Sequence, residues 1–520
     1  MSTSVENQAP PLRAYNLVAE NRPLLEGLRR EGAEWAEEPL LAFGEELGGE
    51  PLEWGRLANE HPPTLRTHDR YGNRIDEVEF HPAWHALMEL GVENGVHALS
   101  WRDARRGAAV ARAAAFLVLA QVEAGVMCPL SMTHAAVPAL RASPELALEW
   151  EPLLTELVYD RRLRPLHEKR GALCGMAMTE RQGGSDVRAN ETEARPTGDG
   201  EATLHGHKWF CSAPMSDGFL VIAQAPGGLS CYLVPRVLPD ASLNEIRIDR
   251  LKDKLGNRSN ASAEIQLEGA WGRLIGEEGR GVATIIEMVV HTRLDCVLGS
   301  AALMRQAVVE ALHHSTHRAA FGRLLVDQPL MRNVLADLCV ESEAATIAAM
   351  RLARAFDEGD DAFRRLATTV LKYWICKRTP AVVGEALECL GGNGFVEESG
   401  FPRLFRESPL NAIWEGASNV QCLDVLRALQ REPETTEAFL AELEPVDAAR
   451  VEPAVAEASE EGARRLVETM AVALQGSLLE RHGDPAVAEV FRARESFGAF
   501  GTLPPRLDLE PVLERHRVSL

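Results

Sequence analysis

Glu415 stands between Trp414 and Gly416, a carboxylate flanked by an aromatic ring and a residue without a side chain. Such a setting is able to raise a carboxyl toward the proton affinity of a general base. Read locally, Glu415 serves equally well as a helix-start carboxylate near the positive end of a macrodipole. Further stretches carry matching chemistry. Met178-Thr179-Glu180-Arg181-Gln182-Gly183-Gly184-Ser185-Asp186-Val187 follows an apolar run, Leu173 to Met178. Its glycines remove side chains where a ligand approaches the main chain, and Thr179 and Ser185 add hydroxyls. His207-Lys208-Trp209-Phe210-Cys211-Ser212 reads as a strand with an aromatic followed two residues later by a hydroxyl. Arg318-Ala319-Ala320-Phe321-Gly322 with Gln328-Pro329-Leu330, and Leu390-Gly391-Gly392-Asn393-Gly394-Phe395, supply an arginine and glycine amides suited to a pyrophosphate. Alone, Gly-Gly-Ser is the composition of a surface turn. Together the stretches fit a dinucleotide flavin site, with an aromatic wall for an apolar ring and polar groups for its edge.

The elements that must position these residues change in texture along the chain. Residues 1–170 read as an N-terminal helical domain, with helices over Leu24 to Glu37 and Val110 to Ala124. Within Phe80-His81-Pro82-Ala83-Trp84-His85, Pro82 points to a helix start rather than to paired histidine ligands. Residues 171–281 break into short β segments punctuated by Gly and Pro: Ala202 to His205, Trp209 to Ser212, Phe219 to Gln224, Ser230 to Val234 and Glu264 to Leu267. That pattern predicts a small central sheet or barrel. Residues 282–430 return to long amphipathic helices, Ile285 to Leu312, Met331 to Phe356 and Ala362 to Leu390, which predict a C-terminal bundle. Arg431-Glu432-Pro433-Glu434 marks the start of a helical appendix, 431–520, with helices over Pro453 to Gln475 and Pro485 to Phe497. The fold class is α+β and multidomain.

Length and charge narrow the function classes. A chain of 520 residues exceeds what one core fills. The net charge of −22 opposes non-specific binding to nucleic acid or an anionic membrane. The nine cysteines show no Cys-x-x-Cys spacing and read as small buried apolar residues in a reducing compartment. Residues 1–10 lack the apolar core of a signal peptide, and the apolar run Ala113 to Ala120 is too short to span a bilayer. These features place the chain in the cytoplasm. His313-His314-x-x-His317 has no carboxylate pair following it, so no metal site is expected there.

The order and spacing of these stretches resemble the acyl-CoA dehydrogenase flavoprotein family over nearly the whole chain. The likeness is closest to its AidB-type branch, that of the bacterial adaptive response to alkylating agents. It rests on Phe80 to His85, Thr179-Glu180-x-Gln182-Gly183-Gly184-Ser185-Asp186, Gly206 to Phe210, Leu251 to Asn260 and Ile413-Trp414-Glu415-Gly416. The resemblance implies FAD held between the β-domain and the C-terminal bundle of a homotetramer. It assigns Met178, Thr179, Gly184, Ser185, Phe210, Cys211 and Ser212 to the flavin and its ribityl chain. Arg318, Phe321 and Gln328 fall to the adenine half, often across a subunit boundary. Gly391, Gly392 and Gly394 fall to the pyrophosphate path, and Ile413, Trp414, Gly416, Ser418 and Asn419 close the site.

By the same resemblance, Glu415 is the catalytic base that takes the α-proton of an acyl-CoA thioester while the β-hydride passes to the flavin. Arg293 matches the family's helix arginine. Thr292 stands where the isovaleryl-type branch keeps its base. Arg181-Gln182 replaces the proline that usual dehydrogenases keep after Thr-Glu and alters the substrate mouth. The AidB-type branch also implies an alternative, a DNA-associated protective flavoprotein. Here the appendix carries 18 acidic against 10 basic residues from position 431 onward, which disfavours DNA. By the resemblance Arg427 matches a basic position of that branch at the boundary, and Arg464-Arg465 and Arg492-x-Arg494 are the candidates for a residual basic patch.

Overall fold

The computed structural model describes residues 7–518. The chain divides into two compact units. One comprises Met1–Leu52, Arg105–Val122 and Arg293–Leu520; the other comprises Glu53–Ala104 and Glu123–Thr292.

The second unit is built on a barrel. Strands β3 (Cys174–Ala177), β4 (Glu193–Gly198), β5 (Glu201–Ser212), β6 (Gly218–Ala225), β7 (Gly228–Pro235), β8 (Ile246–Leu251) and β9 (Ser262–Ile275) form one sheet, preceded in the chain by a hairpin of β1 (Thr64–His68) and β2 (Arg74–Glu79). The pairings β6–β4–β5–β9–β7 and β7–β6 close a ring, with β3 extending the edge of β6 and β8 that of β9. Alternate residues, including Leu204, Phe219, Val221, Tyr232, Ile248 and Ile265, turn inward to make its core. The two segments expected at Ala202 to His205 and Trp209 to Ser212 are one continuous strand, β5. Gly206 does not break it, because its main chain packs where any side chain would meet Thr192.

The hairpin of β1 and β2 lies inside the region read as helical. Its strands are mostly polar, so alternation is faint. Leu65 and Val78 pack on the barrel, and Asp76 accepts from the Ile248 amide at 3.1 Å. The helix Pro82–Glu93 does start at Pro82, with the His81 ring accepting from the Ala83 amide.

The first unit is a helical bundle. Its long members are Pro329–Asp357, Asp361–Cys389 and the Arg293-onward part of Gly281–His317, joined by Ala108–Val122, Ser418–Arg431 and the appendix helix Ala463–His482. Three expected helices are broken or shorter than read. Leu24 to Glu37 breaks into Arg22–Arg30, a 3-10 turn and Glu37–Leu47, since Gly32 takes φ 84°. Pro453 to Gln475 is interrupted between Ala456 and Ala463 by a polar stretch ending in Gly462, and the last segment stops at Ala493. All nine cysteines are buried and free, and among the described residues no helix is long and apolar enough to cross a membrane.

Buried charge ties the appendix into the bundle. Arg494 binds Glu341 at 2.7 Å and Asp337 at 2.5 Å, and Arg492 binds Asp447 at 2.6 Å and Glu480 at 2.7 Å. Two of the arginines proposed for a basic patch are thus committed to internal ion pairs. His516, in the last helix Glu510–His516, is fully buried between Arg305, 2.9 Å from Nδ1, and Glu343, 3.0 Å from Nε2. Arginine only donates, so Nδ1 accepts and the ring is neutral with its proton on Nε2.

Burial holds His516 below its ordinary value of 6.5 against the pull of Glu343. The unfolded chain therefore takes this proton first. Its contribution to stability is full above about pH 6.5 and is lost as the pH falls from there through the folded value. The urea midpoint should drop between about pH 7 and pH 5, and His516→Gln should flatten that drop; an equal drop in the variant contradicts this role.

Candidate active site

The loop after β3 is fastened from inside the barrel. Lys208 points inward from β5 and is fully buried, its Nζ donating to Glu180 at 2.7 Å and to the Ile222 carbonyl at 2.7 Å. The Glu180 carboxylate also accepts from Thr192 Oγ1 at 2.6 Å and from the Glu191 and Thr192 amides. Burial alone would push this carboxyl up; Lys208 and the other donors outweigh it and hold it below the ordinary carboxylate value. From this anchor the chain turns at Gly183, φ 132°, with Gly183 N–H returned to the Glu180 carbonyl at 3.1 Å. Asn190 donates to the Met178 carbonyl at 2.9 Å and accepts from Gln182 at 2.8 Å. Met178 and Thr179 are half-buried, Ser185 and Gly184 are exposed, and a Cβ on Gly184 would lie 2.5 Å from Thr179 Oγ1.

Beside this loop β5 carries a bulge. Lys208 pairs with Ile265 and Cys211 with Ala263, so Trp209 and Phe210 together oppose Glu264 alone. The extra residue turns both aromatic rings to the outer face, where strict alternation would have sent Phe210 inward. The Trp209 amide donates to the Thr179 carbonyl at 2.8 Å, joining bulge to loop. Lys252 lies 3.5 Å from the Trp209 ring centroid and 4.6 Å from that of Phe210. Phe210 nevertheless stays 49% exposed, an aromatic ledge with room for a flat partner. Ser212 follows on the same outer face, its Oγ 3.4 Å from Ser262 Oγ. Cys211 points into the core, where burial pushes its thiol up to about 12, so its side chain is turned away from that face.

In the helical unit, Arg318 leads into a two-stranded hairpin whose tip, Phe321 and Gly322, has φ 52° and 78°. Phe321 is wholly exposed, and Gln328 donates back to the Ala320 carbonyl at 3.0 Å. Arg318 donates to the Asn7 carbonyl. Gly391 and Gly392 are exposed beyond the helix Asp361–Cys389. Gly394 is buried against the Leu387 carbonyl, 2.3 Å from where its Cβ would be, so packing alone accounts for it. His313 donates to the Pro10 carbonyl at 2.8 Å, and the His317 ring lies 2.8 Å from the His313 carbonyl.

Glu415 sits at the centre of a clamped turn. Its φ is 57°, a left-handed conformation that a glutamate seldom adopts, and Gly416 follows at 97°. Each carbonyl around it has a donor. Lys372 donates to the Trp414 and Gly416 carbonyls at 2.8 and 2.5 Å. Arg293 reaches the Glu415 carbonyl at 3.0 Å, and Gln421 reaches both Glu415 and Gly416. Asp424 fixes Arg293 at 3.0 Å and Arg365 at 2.9 Å; burial raises its carboxyl, and the two arginines more than reverse this. Trp414 donates to Asn411 at 2.8 Å. Ile413 and Asn419 are exposed, Ser418 opens the helix Ser418–Arg431, and Asn419 accepts from Arg464 at 2.9 Å. A side chain on Gly416 would meet Gln421 Nε2 at 2.5 Å.

Lys372, Gln421 and the Glu180–Lys208 pair were not singled out by sequence reasoning. Lys372 had a visible signal: it is the one charge in the apolar stretch Val370 to Cys376.

Three family patterns match the chain: the adaptive response protein AidB N-terminal domain over 7–161, the acyl-CoA dehydrogenase middle domain over 175–270 and its C-terminal domain over 279–430. AidB of Escherichia coli K12 is 51% identical over 437 residues, covering 82% of this chain and 81% of its own. The chain belongs to the acyl-CoA dehydrogenase family, AidB type. Acyl-CoA dehydrogenase family member 11 of Caenorhabditis elegans is 34% identical over 413 residues, 75% of this chain and 66% of that one. The solved structure of C. elegans ACDH-11 in complex with C11-CoA aligns with TM-score 0.87 at 27% identity, over 99% of this chain and 93% of that one. Bd2924 in its apo-form aligns with TM-score 0.85 at 28% identity, over 92% and 99%.

Replacing Lys208 by Met leaves Glu180 buried without its cation and should cost about 3–5 kcal/mol in urea unfolding. Pairing it with Glu180→Gln should recover much of that loss. Additive losses would mean the two residues do not act as a pair.

Proposed function

We propose that this acyl-CoA dehydrogenase family member loads FAD on the outer face of β5 and oxidises an acyl-CoA thioester, with Glu415 as base. The left-handed turn at Glu415 carries the reading: a strained glutamate held by Arg293, Lys372 and Gln421 is a side chain being aimed. The half-exposed Phe210 and the Ser212 hydroxyl suit an aromatic ring with a polar edge. The turn at Gly183 and Gly184 keeps side chains out of the way beside Thr179 and Ser185, whose hydroxyls suit the ribityl chain. Bound there, FAD supplies a two-electron acceptor for the hydride leaving the β-carbon.

The chain's own part is proton removal and positioning. Glu415 takes the α-proton, and Arg293 fixes the peptide on which it hangs. The complex of C. elegans ACDH-11 with C11-CoA supports a long acyl-CoA as the substrate class. The wholly exposed Phe321 at a hairpin tip supports assembly into a homo-oligomer, in which a second subunit covers that ring and the adenine half lies near Arg318 and Gln328.

Purified protein should be yellow, and Ser212→Ala or Arg318→Ala should lower the flavin it retains. Anaerobic mixing with straight-chain acyl-CoAs should bleach the flavin, and Glu415→Gln should slow bleaching by about 10²-fold or more. Protein that takes up no FAD, or a Glu415→Gln variant that bleaches at the wild-type rate, contradicts the proposal.

A further inference from the structure

We infer that Lys372 is a positioning residue for the base: it clamps the peptides on either side of Glu415 and supplies the turn's buried positive charge. This rests on Glu415 being the base, but the geometry stands without it. Lys372 lies midway along the helix Asp361–Cys389 and is 1% exposed. Its Nζ spends two of its three protons on the carbonyls of Trp414 and Gly416, residues that bracket Glu415. Among the described residues no carboxylate lies within ion-pair distance of it, whereas the other buried lysine described above, Lys208, has Glu180 at 2.7 Å. A lysine kept in an apolar helix face without a carboxylate partner costs stability, so a role in the turn is the economical account of it.

The placement explains how a left-handed glutamate persists. Relaxing φ at residue 415 would swing the two flanking carbonyls in opposite senses and strip both from the ammonium. One cation bridging i−1 and i+1 therefore locks the residue between them; Arg293 holds only the Glu415 carbonyl, and Gln421 holds those of Glu415 and Gly416 but not that of Trp414. The charge acts as well. Lys372 and Glu415 both influence the buried Cys296 thiol, which places ammonium and carboxylate within electrostatic range of one small region. The charged and titratable groups around the turn include Arg293 and Cys296 from the long helix, Arg365, Lys372 and Cys376 from the Asp361–Cys389 helix, Asp424 and Arg427 from the Ser418–Arg431 helix, and Glu432 paired with Arg365. Asp424 is shared by Arg293, Arg365 and, at 3.9 Å, Arg427, whereas Lys372 is held by carbonyls.

The test compares full-length, FAD-loaded wild type with Lys372→Gln and Lys372→Met. Hydrogen exchange of the peptide spanning 410–422, read without substrate, should speed up about tenfold in Lys372→Met and by less in Lys372→Gln, which keeps N–H donors. Anaerobic reduction by C11-CoA should slow in both, with KM little changed. In Lys372→Gln the acid limb of the rate profile should move to higher pH, because removing a cation from the region of a carboxylate favours the protonated carboxyl. If Lys372→Met does not fold, the exchange and pH profile of Lys372→Gln decide. Wild-type exchange over 410–422, or an unmoved acid limb in a variant that still binds FAD, overturns the inference. A wild type that C11-CoA and the other acyl-CoAs fail to reduce refutes the proposed reaction instead, and the exchange result still judges Lys372.

Discussion

A lysine ammonium inside a β-barrel is the constraint on which one half of this molecule depends. Lys208 is fully buried and survives there because Glu180 comes in from the loop after β3 to meet it. That demand fixes where the loop leaves the sheet, and the Thr192 hydroxyl and two amides then close around the same carboxylate. With residue 180 pinned, the glycine turn at 183–184 and the bonds from Asn190 and Gln182 follow. The bulge in β5 begins at the residue after Lys208 and returns its Trp209 amide to the same loop. Charge, loop and bulge are therefore one device, and Phe210 and Ser212 face outward because of it.

The bundle repeats the logic with different acceptors. Lys372 also projects from a regular element into an apolar interior, and the turn at Trp414 to Gly416 is wrapped onto it. In the barrel the cation is answered by a carboxylate and the product is a rigid wall. In the bundle it is answered by two carbonyls, and the product is a glutamate held in a conformation it would otherwise leave. Strain stored at residue 415 is balanced by donors from three helices.

The bundle was legible because long helices repeat their apolar positions many times: Met331 to Phe356 and Ala362 to Leu390 fall within a few residues of Pro329–Asp357 and Asp361–Cys389. The barrel was legible as a texture of short segments, less so in its strand limits. Trp209 and Phe210 side by side read as a strand start, because a bulge adds a residue without any mark in composition. The hairpin Thr64–Glu79 was missed since only Leu65 and Val78 report its buried face. The motifs around Thr179, Phe210 and Glu415 were found by the types they contain. Of the residues that aim them, Lys208 lies among polar and aromatic neighbours and gives no sign of burial, whereas Lys372, the one charge in an apolar stretch, does. Arg492 and Arg494 erred in the opposite way, reading as a patch while bound to Asp447, Glu480, Glu341 and Asp337.

The proposed flavin site requires the outer face of β5 to be the surface that meets the ring system. A crystal structure of the FAD-loaded protein tests this most directly. It should show the ring system lying on Phe210 with Ser212 Oγ in hydrogen-bond contact and the Glu180–Lys208 pair unchanged beneath. Flavin density bound away from Phe210 and Ser212 would contradict it.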